Sequence, residues 1–199
     1  MESLCIFGDS TAWGAWDLEI GGWAKRLWFY IGNREGDDYL ELYNLSISGG
    51  TTETILERFE NEAKIRHADG IIFQTGANDA LYISDPNEHL VSPEKFRANV
   101  TEIIKRARLI TENIIFMGFE DCDESKTMPV SWGSFYYTNE HLSHYKGIIQ
   151  DVCSEQGIPY LDVGLLENDE FEDGLHPNAK GHEKIFQRVK EFLVEQKWI

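Results

Sequence analysis

Basic residues are scarce in this sequence. Its 199 residues include 18 lysines and arginines against 35 aspartates and glutamates, which gives a formal net charge of −17. Such a negative field repels phosphate backbones and anionic lipid surfaces, so neither a nucleic acid nor a membrane is expected as a partner. The expected partner is a small molecule, neutral or cationic rather than polyanionic.

Cysteine is also rare, and long apolar runs are missing. The three cysteines are odd in number and show no C-x-x-C spacing, so neither a disulfide framework nor a thiolate zinc site is predicted. No apolar run approaches the length of a transmembrane helix. Residues 1–7 lack the basic start and long apolar stretch of a signal peptide, so we expect a cytoplasmic protein.

The composition is otherwise that of a folded protein. Hydrophobic residues make up 42% of the chain and aromatic residues 13%, which excludes disorder. The length suits one core, and the chain shows no repeat, linker or low-complexity tract. We therefore expect residues 1–199 to form a single domain.

Short apolar runs predict five buried β-strands, at residues 4–7, 39–43, 70–74, 113–117 and 158–163. Helical patterns lie between them: apolar residues from Phe96 to Ala107 recur on one face, with Ser92 as N-cap and Pro93 in the first turn. A similar pattern begins behind Thr51 or Thr52 as N-cap. Another covers residues 185–193, in a helix with Asn178 as N-cap. The alternation predicts an α/β sandwich with a parallel sheet.

Residues 121–145 give no clear pattern. They contain an aromatic cluster that either lines a pocket or opens a helix, made of Trp132, Phe135, Tyr136 and Tyr137.

Polar segments follow the predicted strands, and ligands of open parallel sheets bind at the carboxyl ends of the strands. The segments are residues 8–10, 44–49, 76–79 and 173–177. Together they supply a hydroxyl, an imidazole, a carboxylate, an amide and several glycines. These groups are the parts of a serine acyl-transfer site.

In order and residue type, the four segments resemble the SGNH (GDSL-type) esterase and acylhydrolase family. The matching motifs are Phe7-Gly8-Asp9-Ser10, Asn-x-Ser-x-Ser-Gly ending at Gly49, Gly76-x-Asn78-Asp79 and Asp173-x-x-His176-Pro177. The resemblance implies a flavodoxin-like three-layer α/β/α sandwich, with about five parallel strands in the order 2-1-3-4-5. The chain departs from the family pattern at Thr11, where leucine or isoleucine is usual, and at Gly50, where acidic residues are common.

The resemblance also implies roles for these residues. Ser10 is the expected nucleophile, His176 its general base, and Asp173 the carboxylate that orients the imidazole. The backbone N–H groups of Ser10 and Gly49 and the side-chain amide of Asn78 are the expected oxyanion hole. At Gly49, we expect that a close backbone approach leaves no room for a Cβ atom.

The implied reaction is hydrolysis of a carboxylic ester through an acyl-enzyme, without metal or organic cofactor. Expected substrates carry a short acyl or acetyl group on a small neutral or sugar alcohol, and the oligomeric state is left open.

Three other classes of protein share some of these features. A flavodoxin-like, FMN-binding electron carrier shares the acidic charge and a polar first loop, but it has no need of Asp173 and His176. An α/β-hydrolase requires a final glycine that residues 8–12 lack. A catalytically silent binding module on the same scaffold is the third.

Single residues also have ordinary structural roles. Ser10 alone could cap a helix, and His176 alone could be a surface or cap histidine, as we expect for the other five histidines. Asp9 and Asp79 are interpreted as carboxylates that brace loops. Four tryptophans near the nucleophile suit packing at least as well as substrate stacking: Trp13, Trp16, Trp23 and Trp28.

Overall fold

A five-stranded parallel sheet forms the centre of the molecule. The computed structural model describes residues 1–34 and 39–199. Within them the strands are β1 (Ser3–Gly8), β2 (Glu41–Asn44), β3 (Gly70–Gln74), β4 (Ile114–Met117) and β5 (Tyr160–Leu161). Their order is β2-β1-β3-β4-β5 and every neighbouring pair is parallel, which confirms the expected fold class and strand order.

Eight α-helices surround the sheet in the described part of the chain. They are α1 (Ser10–Trp13), α2 (Trp23–Gly32), α3 (Thr52–Ile65), α4 (Ala77–Ala80), α5 (Pro93–Ala107), α6 (Glu124–Thr127), α7 (Asn139–Gln156) and α8 (Ala179–Glu195). A short 3₁₀ turn covers Asn168–Glu170. Among the described helices, none is both long and apolar enough to cross a membrane.

Alternating side chains of the strands place one hydrophobic core on each face of the sheet. In β1, Cys5 and Phe7 pack into a core shared with α3, α5 and α7. Leu4 and Ile6 point the other way, into a core shared with α2 and α8. This arrangement explains why the strands are continuous apolar runs, since helices cover both faces.

Side-chain caps fix the beginnings of the long helices. Thr51 accepts a hydrogen bond from the Thr54 N–H at the start of α3, and Ser92 accepts one from the Lys95 N–H at the start of α5. Asn178 caps α8. Such caps stabilise a helix by about 1 kcal/mol each. The caps of α5 and α8 are the predicted ones, and Thr51 is one of the two residues predicted for α3.

The edges of the sheet differ most from the sequence prediction. β5 pairs only Tyr160 and Leu161 with β4, so the predicted strand over residues 158–163 is shorter than expected. The region that gave no pattern contains α6 and the start of α7. Helix α7 begins after the Thr138 N-cap, and its C-cap Gly157 has a left-handed conformation. The aromatic cluster thus precedes a helix rather than forming its first turn.

Candidate active site

Ser10 lies where β1 ends and α1 begins. The Asp9 carboxylate caps this short helix by accepting a hydrogen bond from the Thr11 N–H at 3.0 Å. As the first residue of α1, Ser10 has no acceptor within the helix for its own N–H. The turn is tight, since a Cβ atom on Gly8 would lie 2.5 Å from both the Ala12 side chain and the Gln74 carbonyl oxygen.

Asp173 and His176 lie in the loop that leads into α8. One oxygen of the Asp173 carboxylate accepts backbone N–H bonds from Leu175 (3.0 Å) and His176 (2.8 Å). Burial pushes the pKa of the Asp173 carboxyl upward, but its hydrogen bonds with His176 and Leu175 and the charge of His176 outweigh burial and set the pKa below its usual range. The carboxylate is therefore fixed in the ionised form.

Hydrogen bonds join the three side chains in series. The Nδ1 atom of His176 lies 2.8 Å from the second carboxylate oxygen of Asp173. Its Nε2 atom lies 2.9 Å from the Oγ atom of Ser10. Because an ionised carboxylate only accepts, Nδ1 carries a proton and the neutral ring presents an unprotonated Nε2 to the serine hydroxyl. This arrangement can remove a proton from Ser10.

The structure also brings Ser10, Gly49 and Asn78 together, around one pocket. Asn78 lies on α4, directly after β3. The expected reason for glycine at position 49 is wrong for the protein itself, because a Cβ atom there would have no neighbour within 4 Å. Glycine is needed because Gly49 has a φ of +76°, in the left-handed region that L side chains rarely adopt.

The pocket beside Ser10 has a volume of about 260 Å³. Its polar groups, including Ser10 and His176, meet a predominantly apolar wall formed by Leu81, Ile83, Leu90, Trp132, Phe135 and Leu175. Grooves of about 520 to 650 Å³ lie elsewhere on the described surface and contain none of Ser10, Gly49, Asn78 and His176. Of these four cavities in the described part of the chain, the smaller pocket is the one that contains the predicted site residues.

Asp79 connects the Gly76-x-Asn78-Asp79 motif to the first residue of α3, Thr52. Its carboxylate accepts hydrogen bonds from the Thr52 N–H at 3.1 Å and from the Thr52 hydroxyl at 2.5 Å. The Asn99 side chain donates to the same hydroxyl oxygen at 2.9 Å. These contacts brace the loop that follows β2 against the loop that follows β3, the structural role expected for Asp79.

Buried carboxyl groups lie close behind the site. Burial raises the pKa of Asp9 to about 6, of Asp79 to about 7 and of Glu120 to about 8. One oxygen of Glu120 has no hydrogen-bond partner among the described residues. Nor does the described part of the chain contain a cluster of three or more histidine, cysteine or carboxylate side chains that could hold a metal ion.

The tryptophans divide between the two roles left open by the sequence. Trp23 is buried in the core and donates from its indole N–H to Gln74. Trp16 is 51% exposed, and its ring lies edge-on to the imidazole of His176 with centroids 6.3 Å apart. The ring centroid of Trp132 lies 5.4 Å from that of the same imidazole.

One histidine differs from the prediction. His182 is fully buried, so its assignment as a surface or cap histidine is wrong. Its Nδ1 atom accepts a hydrogen bond from the backbone N–H of Trp23, and its Nε2 atom donates one to the Ala15 carbonyl oxygen. Burial lowers the pKa of the His182 imidazole. The neutral ring therefore supports the segment that follows α1, through its contact with Ala15.

Two groups of pocket residues were not identified from the sequence alone. Leu81, Ile83 and Leu90 lie on the loop between α4 and α5, where no pattern marks them as pocket residues. The sequence indicates Tyr137 only as part of the aromatic cluster. Its hydroxyl donates to the Oδ1 atom of Asn78 at 3.0 Å. Because residues 121–145 show no periodic pattern, the sequence does not indicate that Tyr137 contacts Asn78.

Solved structures with the same fold include several esterases. The lipase/acylhydrolase from Enterococcus faecalis superposes with a TM-score of 0.77 at 21% identity, over 98% of this chain and 97% of that one. A variant of the acetyl xylan esterase Axe2 from Geobacillus stearothermophilus gives 0.77 at 17% identity, over 98% and 94%. TesA gives 0.72 at 18% identity, over 96% and 98%.

A curated relative and a protein family match the sequence itself. The relative, the uncharacterized lipoprotein YqeF of Bacillus subtilis (strain 168), is 24% identical over 180 residues, which cover 81% of this chain and 70% of YqeF. Residues 6–184 match the GDSL-like lipase/acylhydrolase family. This match spans all four motifs and most of the chain. The chain therefore belongs to the GDSL-like lipase/acylhydrolase family and is a carboxylic ester hydrolase.

Proposed function

We propose that the protein cleaves esters of short apolar acyl groups through an acyl-enzyme formed on Ser10. The hydrogen-bonded series Ser10–His176–Asp173 carries this proposal. Three solved structures of Axe2 are described as catalytic mutants in which a serine, an aspartate or a histidine is replaced by alanine. The same three residue types meet here.

In the first step His176 accepts the proton of the Ser10 hydroxyl while the serine oxygen attacks the ester carbonyl carbon. The imidazolium then gives that proton to the departing alcohol, which leaves Ser10 acylated. A water molecule then attacks the acyl-enzyme while His176 accepts its proton, and His176 returns that proton to the Ser10 oxygen as the carboxylic acid leaves. The ionised Asp173 stabilises the transient imidazolium charge.

The developing negative charge on the carbonyl oxygen needs donors that are already in place. The Ser10 N–H, the Gly49 N–H and the Asn78 amide border the same pocket and are assigned this role. Loss of one such donor typically costs about 10²–10³ in turnover.

The apolar wall of the pocket supports an acyl group longer than acetyl. At roughly 30 Å³ for a water-sized group, 260 Å³ holds about eight or nine non-hydrogen atoms. The ester group itself takes about four of these, so the remaining space suits a chain near hexanoyl. Each further buried methylene is worth about 0.8 kcal/mol, or roughly fourfold in kcat/KM.

The alcohol must lie beside His176, which protonates it. Two exposed indoles, Trp16 and Trp132, flank that imidazole. Trp16 holds its position with a left-handed backbone, at a φ of 64°. Aromatic faces and the net charge of −17 favour a neutral alcohol, such as a sugar, over an anionic one.

We further propose that residues 1–199 act as a single domain in the cytoplasm. Every group in the proposed mechanism lies on a segment that follows a strand of one sheet or leads into a helix packed on that sheet. Cell fractionation tests the location, because the relative YqeF is described as a lipoprotein: recovery in the membrane fraction would contradict the proposal.

A panel of esters varied in acyl length and in alcohol tests the reaction, with Ser10→Ala measured beside the wild type. The proposal predicts hydrolysis that depends on Ser10 and rises from acetate toward hexanoate. Absence of ester hydrolysis, or equal activity in Ser10→Ala, refutes it.

A further inference from the structure

The side-chain amide of Asn78 is held at both ends. Its Nδ2 atom donates to the Gly50 carbonyl oxygen at 3.0 Å, and its Oδ1 atom accepts from the Tyr137 hydroxyl at 3.0 Å. A carbonyl oxygen only accepts, so the atom that faces Gly50 must be the nitrogen. The orientation of the amide therefore follows from its two partners.

This orientation leaves one hydrogen of the amide nitrogen free for another acceptor. The other hydrogen is bonded to Gly50, and both residues of the Asn78–Tyr137 contact are buried, with 8% and 5% of their surfaces exposed. Both also border the pocket that contains Ser10. The free N–H is the one required for an oxyanion donor.

Tyr137 is itself rigidly placed. Its N–H donates to the Thr127 carbonyl oxygen at 3.1 Å, and the Thr127 hydroxyl donates back to the Tyr137 carbonyl oxygen at 2.9 Å. Burial raises the pKa of the Tyr137 hydroxyl, and the carboxylates of Asp9 and Asp173 raise it further. The hydroxyl thus keeps its proton and remains a donor at any pH where the enzyme works.

We propose that Tyr137 is a positioning residue, whose hydroxyl holds the Asn78 amide so that an N–H faces the carbonyl oxygen of the substrate. The proposal rests on the proposed function, since it requires Asn78 to be an oxyanion donor. Without the hydroxyl, the Oδ1 atom of Asn78 loses its buried donor. The Gly50 carbonyl oxygen then holds the amide alone, so the free N–H is positioned less precisely for the developing oxyanion.

Tyr137→Phe removes this hydroxyl and keeps the ring. We expect kcat to fall roughly tenfold with KM nearly unchanged, because the interaction strengthens only as the oxyanion forms. An alkylboronic acid forms a tetrahedral adduct with the serine, and its inhibition constant should rise by a similar factor.

Tyr145→Phe is the matched control. The Tyr145 hydroxyl is also buried, but it donates to a backbone carbonyl oxygen, that of Val91, and not to the Asn78 side chain. Both variants should lose comparable thermal stability, but only Tyr137→Phe should lose kcat. Equal losses of kcat in the two variants would assign Tyr137 a packing role and overturn the proposal.

A double-mutant cycle with Asn78→Ala separates this inference from the proposed function. If Tyr137 acts through Asn78, Tyr137→Phe should change kcat less than twofold once Asn78 is alanine. An undiminished tenfold loss in that background overturns the inference, as does an unchanged kcat in Tyr137→Phe beside a strongly slowed Asn78→Ala. Failure of the proposed function shows instead as hydrolysis that survives in Ser10→Ala.

Discussion

The Nε2 atom of His176 lies 2.9 Å from the Oγ atom of Ser10, although 166 positions separate the two residues. The sheet and α8 bring about this contact. Ser10 follows β1, and His176 precedes α8, whose residues Ile185 and Val189 pack into the same core as Leu4 and Ile6 of β1. The packing of α8 thus sets the distance between the proposed base and the proposed nucleophile.

Chemical labelling tests the nucleophile. A serine-directed phosphonate should label the wild-type protein once, at Ser10, because this hydroxyl has the His176 imidazole as its partner. Ser10→Ala should lose both the label and ester turnover. Peptide mapping by mass spectrometry locates the modification, and a label on another residue with activity retained in Ser10→Ala contradicts the assignment.

Asp173→Asn tests the orientation of the imidazole. An amide in place of the carboxylate can donate to Nδ1, which leaves the proton on Nε2, where it blocks proton transfer from Ser10. We expect kcat to fall by about 10³–10⁴ while residual activity remains, since the oxyanion donors are intact. Steady-state kinetics on one ester measure the loss, and a kcat within tenfold of wild type shows that Asp173 does not orient the base.

The sequence was sufficient to predict the scaffold, and the structure brings the predicted site residues together, because both depend on local sequence features. A buried parallel strand needs a continuous apolar run, and each site residue follows such a run or precedes a capped helix. The pocket wall could not be predicted in this way. Leu90 and Tyr137 meet Asn78 or its pocket through loops whose path depends on long-range packing, and neither position carries a periodic signal.

Substitution of Ile83 tests the apolar wall. Ile83 is 51% exposed and borders the pocket, so Ile83→Ser should fold normally while making the wall more polar. Loss of burial should grow with acyl length, and we expect the ratio of kcat/KM for hexanoate over acetate to fall by about fivefold to tenfold. A series of p-nitrophenyl esters measures this ratio.

The same substitution at Ile65 provides the control. Ile65 is 75% exposed at the end of α3 and does not border the pocket. Ile65→Ser should leave the acyl-length profile unchanged. If both variants keep the wild-type profile, or if the wild type prefers acetate, Ile83 does not line an acyl site.

Glu120 allows a prediction about stability and pH. Burial raises its pKa to about 8 from a usual value near 4.5, and one of its oxygens is buried without a partner. Between these two pH values the folded state retains a proton that the unfolded chain has released. A rise in pH therefore favours unfolding until about pH 8, where the folded state also loses the proton.

Glu120→Gln removes this titration and keeps the shape of the side chain. The variant should be close to wild type in free energy of unfolding at pH 5 and more stable by about 1–3 kcal/mol at pH 8.5. Glu191→Gln, on the exposed side of α8, should show no such difference. Urea denaturation at both pH values measures the effect. A gain of equal size at pH 5 and pH 8.5 would mean that Glu120 is already ionised in the folded protein at pH 5, because only a proton held by the folded state makes the gain depend on pH.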